Sequence, residues 1–205
     1  MIRRLLLLSA FVLLSSIVGG APRSLAATDD PSSFVNNLGS RALAAMRNGD
    51  TAAAKPGRFR QLFRQYFDVE ACARSALGPH WQNATAQQRQ EYVNRYEDYI
   101  VIVYSTFFGH LDGGESFTVL GSKSDEEGVI VTSRMDLING ASIRVDWQLN
   151  PTNNGYKVTN LIVNGINMAS MQHSDLVSVI QRNNGHVPAL LAALREKNAS
   201  NGIVR

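Results

Sequence analysis

Cysteine is almost absent from this 205-residue chain, whose single Cys72 has no partner for an internal disulfide. A fold of this kind must be stabilised by packing, whatever the redox state of its compartment. The surrounding residues Asp68–Ala73 have the composition of a helix, in which a lone cysteine is more often a small buried side chain than a nucleophile. We therefore interpret Cys72 as a core residue.

Proline and charge are also scarce: there are six prolines, and 18% of residues are charged against 44% hydrophobic. This composition excludes disordered and collagen-like chains and fits one globular domain or two small ones. The net charge of +3 comes from Arg3, Arg4 and Arg23 near the start, since the other 17 basic residues balance the 17 acidic ones. A balanced chain gives little support to nucleic-acid binding.

Long hydrophobic runs are limited to Leu5–Val18, which is shorter than the roughly 20 residues that span a bilayer. This run follows the basic Arg3 and Arg4, and the small residues of Ser24-Leu25-Ala26 come shortly after it. We predict a signal peptide over residues 1–26, cleaved after Ala26, and a soluble exported product. The alternative is an uncleaved membrane anchor, which the helix-breaking residues 19–22 disfavour.

Motifs for catalysis and metal binding are missing as well. The sequence has no Gly-rich phosphate loop, no His-Glu-x-x-His pair and no Gly-x-Ser-x-Gly elbow, and its four histidines are far apart. His110, Asp112 and Ser116 could be imagined as a triad, but neighbouring loop residues seldom adopt triad geometry. We expect no catalytic residue, no metal and no cofactor, and we expect that the protein is not an enzyme.

The apolar periodicity changes twice along the chain. Helical spacing over residues 31–108 includes the capping box Thr85–Gln88, which opens the longest helix. Strict alternation over residues 116–165 predicts strands, and helical spacing returns over 168–197, before an expected flexible tail at 199–205. These patterns predict an α+β fold, in which N-terminal and C-terminal helices pack on a curved, antiparallel, four-stranded sheet.

Apolar residues are plentiful on both the predicted sheet and the longest helix. The ordinary interpretation is that the two surfaces pack against each other. The alternative is that a strongly curved sheet and its helices leave an apolar pocket for a hydrocarbon chain, where each buried methylene contributes about 0.8 kcal/mol. A pocket wall and a filled core share one sequence pattern, so both interpretations stay open at this point.

Two stretches resemble the MlaC, or toluene-tolerance, family. Residues 76–85 read ALGPHWQNAT and are followed by Gln88-Arg89, which is similar to the family pattern ALG-x-x-W-x-x-A-T-x-x-Q-R. Residues 156–168 are similar to a second family pattern, W-K-V-x-D-x-x-V-x-G-V-S/N-M. The chain departs from the second pattern at Tyr156, where the family has Trp, and at Asn160, where it has Asp. The closing region 166–197 most resembles the hopanoid-associated HpnM branch.

The resemblance implies an NTF2-like sheet with helices and a soluble periplasmic lipid carrier. Such a carrier moves phospholipid, or a related lipid such as a hopanoid, between an outer-membrane lipoprotein complex and an inner-membrane ABC transporter complex. It also implies that residues 27–198 form one lipid-binding domain, which we expect to be monomeric. The rival classes are an NTF2-like periplasmic enzyme and a ligand-free protein-interaction module.

We assign the expected pocket to the inward sheet face and the helices that cover it. The predicted lipid contacts are Val119, Val131, Met135, Val145, Trp147 and Val158 on the sheet, Tyr99, Val103, Tyr104 and Phe107 on the longest helix, and Met168 and Met171 on the helix after the sheet. Asp136 and Asp146 belong to the opposite, polar sheet face, which argues against an acid–base pair in the pocket. The arginines at positions 58, 60, 64 and 74 form a possible docking face, although a solvated helix surface explains them more simply.

Overall fold

The computed structural model describes residues 30–47, 54–108, 114–125 and 128–202. The predicted signal peptide, residues 1–26, lies outside these ranges. No helix in the described part of the chain combines the length and the apolar character needed to cross a membrane.

Within the described ranges, five helices precede the sheet, and two of their N-terminal caps follow from the sequence. Asp30 accepts a hydrogen bond from the Ser33 amide at 2.9 Å, and Thr85 and Gln88 form the predicted reciprocal capping box, with hydrogen bonds of 2.9 and 3.2 Å. These caps satisfy amides that have no partner within a helix. The helices are α1 (Pro31–Arg47), α2 (Lys55–Tyr66), α3 (Val69–Leu77), α4 (His80–Asn83) and α5 (Ala86–Phe108).

The strands form one antiparallel meander in sequential order. They are β1 (Ser116–Asp125), β2 (Gly128–Asp136), β3 (Ser142–Thr152), β4 (Gly155–Val163) and β5 (Ile166–Asn167). The prediction of four strands was therefore wrong by one. Asn164 and Gly165 both adopt positive φ angles, of 49° and 82°, and this tight turn folds β5 back onto the end of β4.

Two irregularities bend the sheet. Leu120 is an extra residue between the pairs Val119↔Ser133 and Gly121↔Thr132, and Thr159 is an extra residue of β4 opposite the Gln148–Leu149 step of β3. Bulges of this kind bend a strand and increase its twist. The mixed α+β class and the curved antiparallel sheet are thus as predicted.

Helices α6 (Met168–Arg182) and α7 (Val187–Ser200) follow the sheet. Ala199 and Ser200, which we assign to the tail from the sequence, belong to α7. The last turn of α7 is fixed to α5 by Asn198, which is fully buried and donates a hydrogen bond to the Arg95 carbonyl at 3.1 Å.

The described residues form two apolar clusters. The helical cluster lies among α3, α5, α6 and α7 and includes Tyr92 and Tyr96. The sheet cluster joins α1 and the end of α2 to β2, β3 and β4 through Val35, Leu149 and Val158. Because one cluster is built on helices and the other on the sheet, the space where the two meet is the place to look for a functional site.

Candidate functional site

A cavity of about 440 Å³ lies between helices α1, α2, α5 and α6 and the inner face of the sheet. Pockets that bind small molecules have volumes of about 300–1,000 Å³ and mostly apolar walls. The described residues that line this cavity are largely aliphatic and aromatic. The cavity therefore has the size and the chemistry of a site for a hydrophobic ligand.

The sheet wall follows from the alternation that the sequence shows in β3. Ile143, Val145 and Trp147 point to the same side and line the cavity, together with their cross-strand partners Met135, Val163 and Leu161. Trp147 forms part of this wall and does not fill the cavity. Its indole nitrogen donates to the buried Ser133 hydroxyl at 2.8 Å, which satisfies the polar end of the side chain.

Helix α2 supplies an aromatic wall that we did not predict. Phe59, Phe63 and Phe67 all line the cavity, and the ring centroid of Phe59 lies 6.3 Å from that of Tyr104 on α5. The spacing of these residues indicated a helical apolar stripe, but such a stripe is equally typical of a filled core. Only the packing of α2 shows that the stripe faces a void.

Buried ion pairs hold α2 against α5. The Arg60 guanidinium lies 2.8 Å from a Glu97 carboxylate oxygen and 2.6 Å from one of Asp98, and Arg64 also pairs with Glu97 at 2.8 Å. Both carboxylates are buried, whereas the exposed Arg74 pairs with a carboxylate on its own helix. Three of the four arginines considered as a docking face thus have ion-pair partners within the fold.

A chain of polar groups crosses the helical side of the cavity. The Tyr96 hydroxyl donates to the Gln172 amide oxygen at 2.6 Å, the Gln172 amide nitrogen donates to the Tyr104 hydroxyl at 3.2 Å, and that hydroxyl reaches the Met168 sulfur at 3.5 Å. Burial raises the pKa of both tyrosines, so their hydroxyls stay protonated near neutral pH. Gln172 was missed, since the sequence gives no signal for an amide that faces a cavity.

Cys72 also borders the cavity and behaves as the sequence predicts. Its sulfur lies 3.2 Å from the Thr159 carbonyl oxygen, and burial, with a smaller contribution from Asp68, raises the pKa of the thiol to about 12. A thiol with such a pKa is almost entirely protonated at neutral pH and is a poor nucleophile. The interpretation of Cys72 as a structural residue is confirmed.

The structure separates the predicted lipid contacts into two groups. Six of them line the cavity: Val103, Tyr104, Met135, Val145, Trp147 and Met168. The Phe107 side chain lies outside the described part of the chain. The other five do not border this cavity: Val119, Val131 and Val158 pack in the sheet cluster, Tyr99 lies under Lys197 of α7, and Met171 is 42% exposed. Alternation identifies the inward sheet face, but α1 covers part of that face.

Asn160 replaces the aspartate of the family pattern and has a structural role. Its side-chain oxygen accepts from the Ala169 amide at 3.1 Å, and its nitrogen donates to the side-chain oxygens of Gln148 and Asn167 at 2.9 and 3.1 Å. A carboxylate could accept the first bond but could not donate the other two. The amide thus positions the start of α6 beside the cavity.

The polar sheet face lies where the sequence predicts it. Asp136 accepts hydrogen bonds from Ser142 and Arg134, which lower its pKa. Burial opposes ionisation of Asp146, but hydrogen bonds from Thr132 and Arg144 outweigh it and lower that pKa as well. Neither carboxylate borders the cavity.

Fold and site together define an α+β domain with a largely apolar cavity between a curved sheet and its helices. The sequence model of the MlaC family, described as MlaC protein, matches residues 36–196. The chain therefore belongs to the MlaC family.

A solved structure of similar fold is a phospholipid-binding protein from Ralstonia solanacearum, determined in complex with a phospholipid. The TM-score is 0.74 and the sequence identity 21%, and the match covers 85% of this chain and all of the other. No curated protein matches this chain. At this identity, the likeness establishes the fold that the two proteins share.

Proposed function

We propose that this protein is a lipid carrier that holds a hydrocarbon chain of a phospholipid, or of a related lipid such as a hopanoid, in the cavity. The observation that carries the proposal is a cavity of about 440 Å³ whose sheet wall and α2 wall are both largely apolar. Membership of the MlaC family and the phospholipid bound by the Ralstonia protein support the same function.

The energetics of the cavity fit this role. Burial of each methylene contributes about 0.8 kcal/mol, so roughly twelve methylenes gain about 10 kcal/mol. Association and ordering of the chain cost several kcal/mol of that gain. The hydrophobic contacts alone therefore support binding, and we assign them to Val103, Tyr104, Met135, Val145, Trp147 and Met168, with Phe59 and Phe63 added from α2.

We further propose that the carrier is periplasmic and moves lipid between membrane complexes. The basic, apolar start of the chain supports export, and removal of residues 1–26 would leave a balanced net charge. In this proposal, the carrier is a monomer that exchanges lipid with an outer-membrane lipoprotein complex and an inner-membrane ABC transporter complex.

Mass spectrometry tests lipid binding directly. The protein is purified from a periplasmic extract without detergent and measured under native and then denaturing conditions. We expect a native mass that exceeds the chain mass by one lipid and loses that excess on denaturation, and the released lipid identifies a phospholipid or a hopanoid. A lipid-free protein that also takes up nothing from phospholipid vesicles would contradict the proposal and favour the interaction module.

A further inference from the structure

The hydrogen bonds of the polar chain beside the cavity run in one direction. The Gln172 amide oxygen can only accept, so the Tyr96 hydroxyl is the donor in the bond of 2.6 Å that joins them. The Gln172 amide nitrogen can only donate, so the Tyr104 hydroxyl oxygen is the acceptor at 3.2 Å. The hydrogen of the Tyr104 hydroxyl is thus left for the next partner, the Met168 sulfur at 3.5 Å.

The chain ends on its weakest acceptor. A thioether sulfur accepts hydrogen bonds poorly, whereas the two preceding bonds have oxygen acceptors. Tyr104, Met168 and Gln172 all line the cavity, so the last donor of the chain lies at the cavity wall. An oxygen atom of a ligand in the cavity would be a better acceptor for the Tyr104 hydroxyl than the sulfur is.

Three neutral polar side chains on the β4 and α3 part of the cavity wall donate to protein oxygens instead. The Thr159 hydroxyl donates to the Gln148 carbonyl oxygen at 3.3 Å, and the Cys72 thiol donates to the Thr159 carbonyl oxygen at 3.2 Å. The Asn160 amide nitrogen donates to two side-chain oxygens, at 2.9 and 3.1 Å. Tyr104 differs from these lining residues because the acceptor of its hydrogen is a sulfur atom.

We propose that the Tyr104 hydroxyl donates a hydrogen bond to an ester carbonyl oxygen of the bound lipid, an inference that rests on the proposed function. The hydroxyl turns its hydrogen from the Met168 sulfur to this oxygen and still accepts from Gln172, which is itself held by Tyr96. Tyr104 thereby sets how far the acyl chain enters the cavity. It is a specificity-determining residue that favours ester-linked over ether-linked lipids.

A carbonyl oxygen matches this position better than a hydroxyl does. A carbonyl only accepts, whereas a lipid hydroxyl brings its own hydrogen, for which the Met168 sulfur is again the neighbouring acceptor. A lipid that fills the cavity displaces water from the Tyr104 hydroxyl, and a buried donor without a good acceptor is costly. An ester carbonyl at this point removes that cost, so the site discriminates against a lipid that lacks the carbonyl.

The test compares dioctanoyl phosphatidylcholine with its dioctyl ether analogue, which has the same headgroup and chain length but no ester carbonyl. Affinities of the full mature chain for both lipids are measured by calorimetry below the micellar concentration. The variant is Tyr104→Phe, and the matched control is Tyr99→Phe, a tyrosine of the same helix that does not line the cavity. Circular dichroism melting checks that each variant folds.

The readout is the ratio of the affinities for the ester and the ether lipid, since a general loosening of the cavity would weaken both. One neutral hydrogen bond corresponds to a factor of roughly five, so the ratio should fall about fivefold in Tyr104→Phe. It should stay within about twofold of the wild-type ratio in Tyr99→Phe. An unchanged ratio in Tyr104→Phe, or an equal fall in both variants, would overturn the inference.

Infrared spectroscopy of the wild-type complex gives a second measurement that needs no variant. With the dioctanoyl lipid isotope-labelled at its ester carbonyl carbons, a carbonyl that accepts a hydrogen bond absorbs at lower frequency than one in a hydrocarbon solvent. We expect one of the two carbonyl bands to shift in this way. Two unshifted bands would contradict the contact.

This inference and the proposed function fail in different ways. A protein that binds both lipids, with the same affinity ratio in the wild type and in Tyr104→Phe, retains the carrier function and loses the tyrosine contact. A wild-type protein that binds neither lipid loses both.

Discussion

Replacement of Val145 by arginine places a cation on the sheet wall of the cavity. Val145 is 9% exposed, lines the cavity and lies opposite Ser133 on one side and Val163 on the other. None of these neighbours carries a negative charge that could pair with the guanidinium. The variant therefore tests whether the cavity holds the hydrocarbon part of a lipid.

The magnitude follows from the desolvation of the new charge. In the lipid-free protein, the guanidinium can remain hydrated in the cavity, so the variant loses at most the burial of one valine, about 1.5–3 kcal/mol. A bound acyl chain would displace that water, and burial of an unpaired ion costs several kcal/mol. With about 3 kcal/mol for this cost, lipid affinity falls by roughly a hundredfold.

A matched control is available on the other face of the sheet. Ile162 pairs with Asp146, which lies on the polar face, and it does not line the cavity. Ile162→Arg makes the same kind of change beside a carboxylate. Lipid per protein, measured by denaturing mass spectrometry after gentle purification, should be near zero for Val145→Arg and unchanged for Ile162→Arg. Wild-type lipid content in a folded Val145→Arg protein would refute the reasoning.

Two further predictions concern groups beside the cavity. Arg60→Met removes the guanidinium that pairs with the buried Asp98 carboxylate, while Glu97 keeps its pair with Arg64. Urea denaturation should therefore show a loss of about 3 kcal/mol for Arg60→Met, whereas Arg74→Met at an exposed ion pair should change stability by less than about 1 kcal/mol. Equal losses would contradict the buried-pair argument. Because its pKa is raised to about 12, the Cys72 thiol should react with a thiol reagent at pH 8 much more slowly in the native than in the denatured protein, and faster as pH rises. Rapid stoichiometric labelling of the native protein would contradict the buried position.

The sequence predicts the sheet wall better than the helical wall, for a physical reason. Alternation in β3 fixes which face Val145 and Trp147 share, because a strand has only two faces. Alternation does not fix which part of that face borders the cavity and which part is covered by α1. Val131 and Val158 obey the same alternation but lie where α1 packs on the sheet, so they became core residues and not cavity residues.

The aromatic stripe of α2 could not be assigned from periodicity. Phe59 and Phe63 repeat at the spacing of any helix that packs on a core, and the cavity depends on how α2 is held away from the sheet. That placement depends on Arg60 and its carboxylate partners on α5, a contact over 37 and 38 residues of sequence. The β5 strand was missed because its two residues are too few to show an alternating pattern. The positive-φ turn at Asn164 and Gly165 is what places it against β4.

The two tryptophans of the chain provide the most direct test of lipid in the cavity. Trp147 lines the cavity, whereas Trp81 is buried in the helical cluster outside its lining. Brominated acyl chains quench tryptophan fluorescence on contact, so we would measure quenching by a brominated phospholipid in Trp81→Phe, which retains only Trp147, and in Trp147→Phe, which retains only Trp81. The account predicts strong quenching of Trp147 and little quenching of Trp81. Lipid that binds by mass spectrometry but leaves Trp147 unquenched would contradict it.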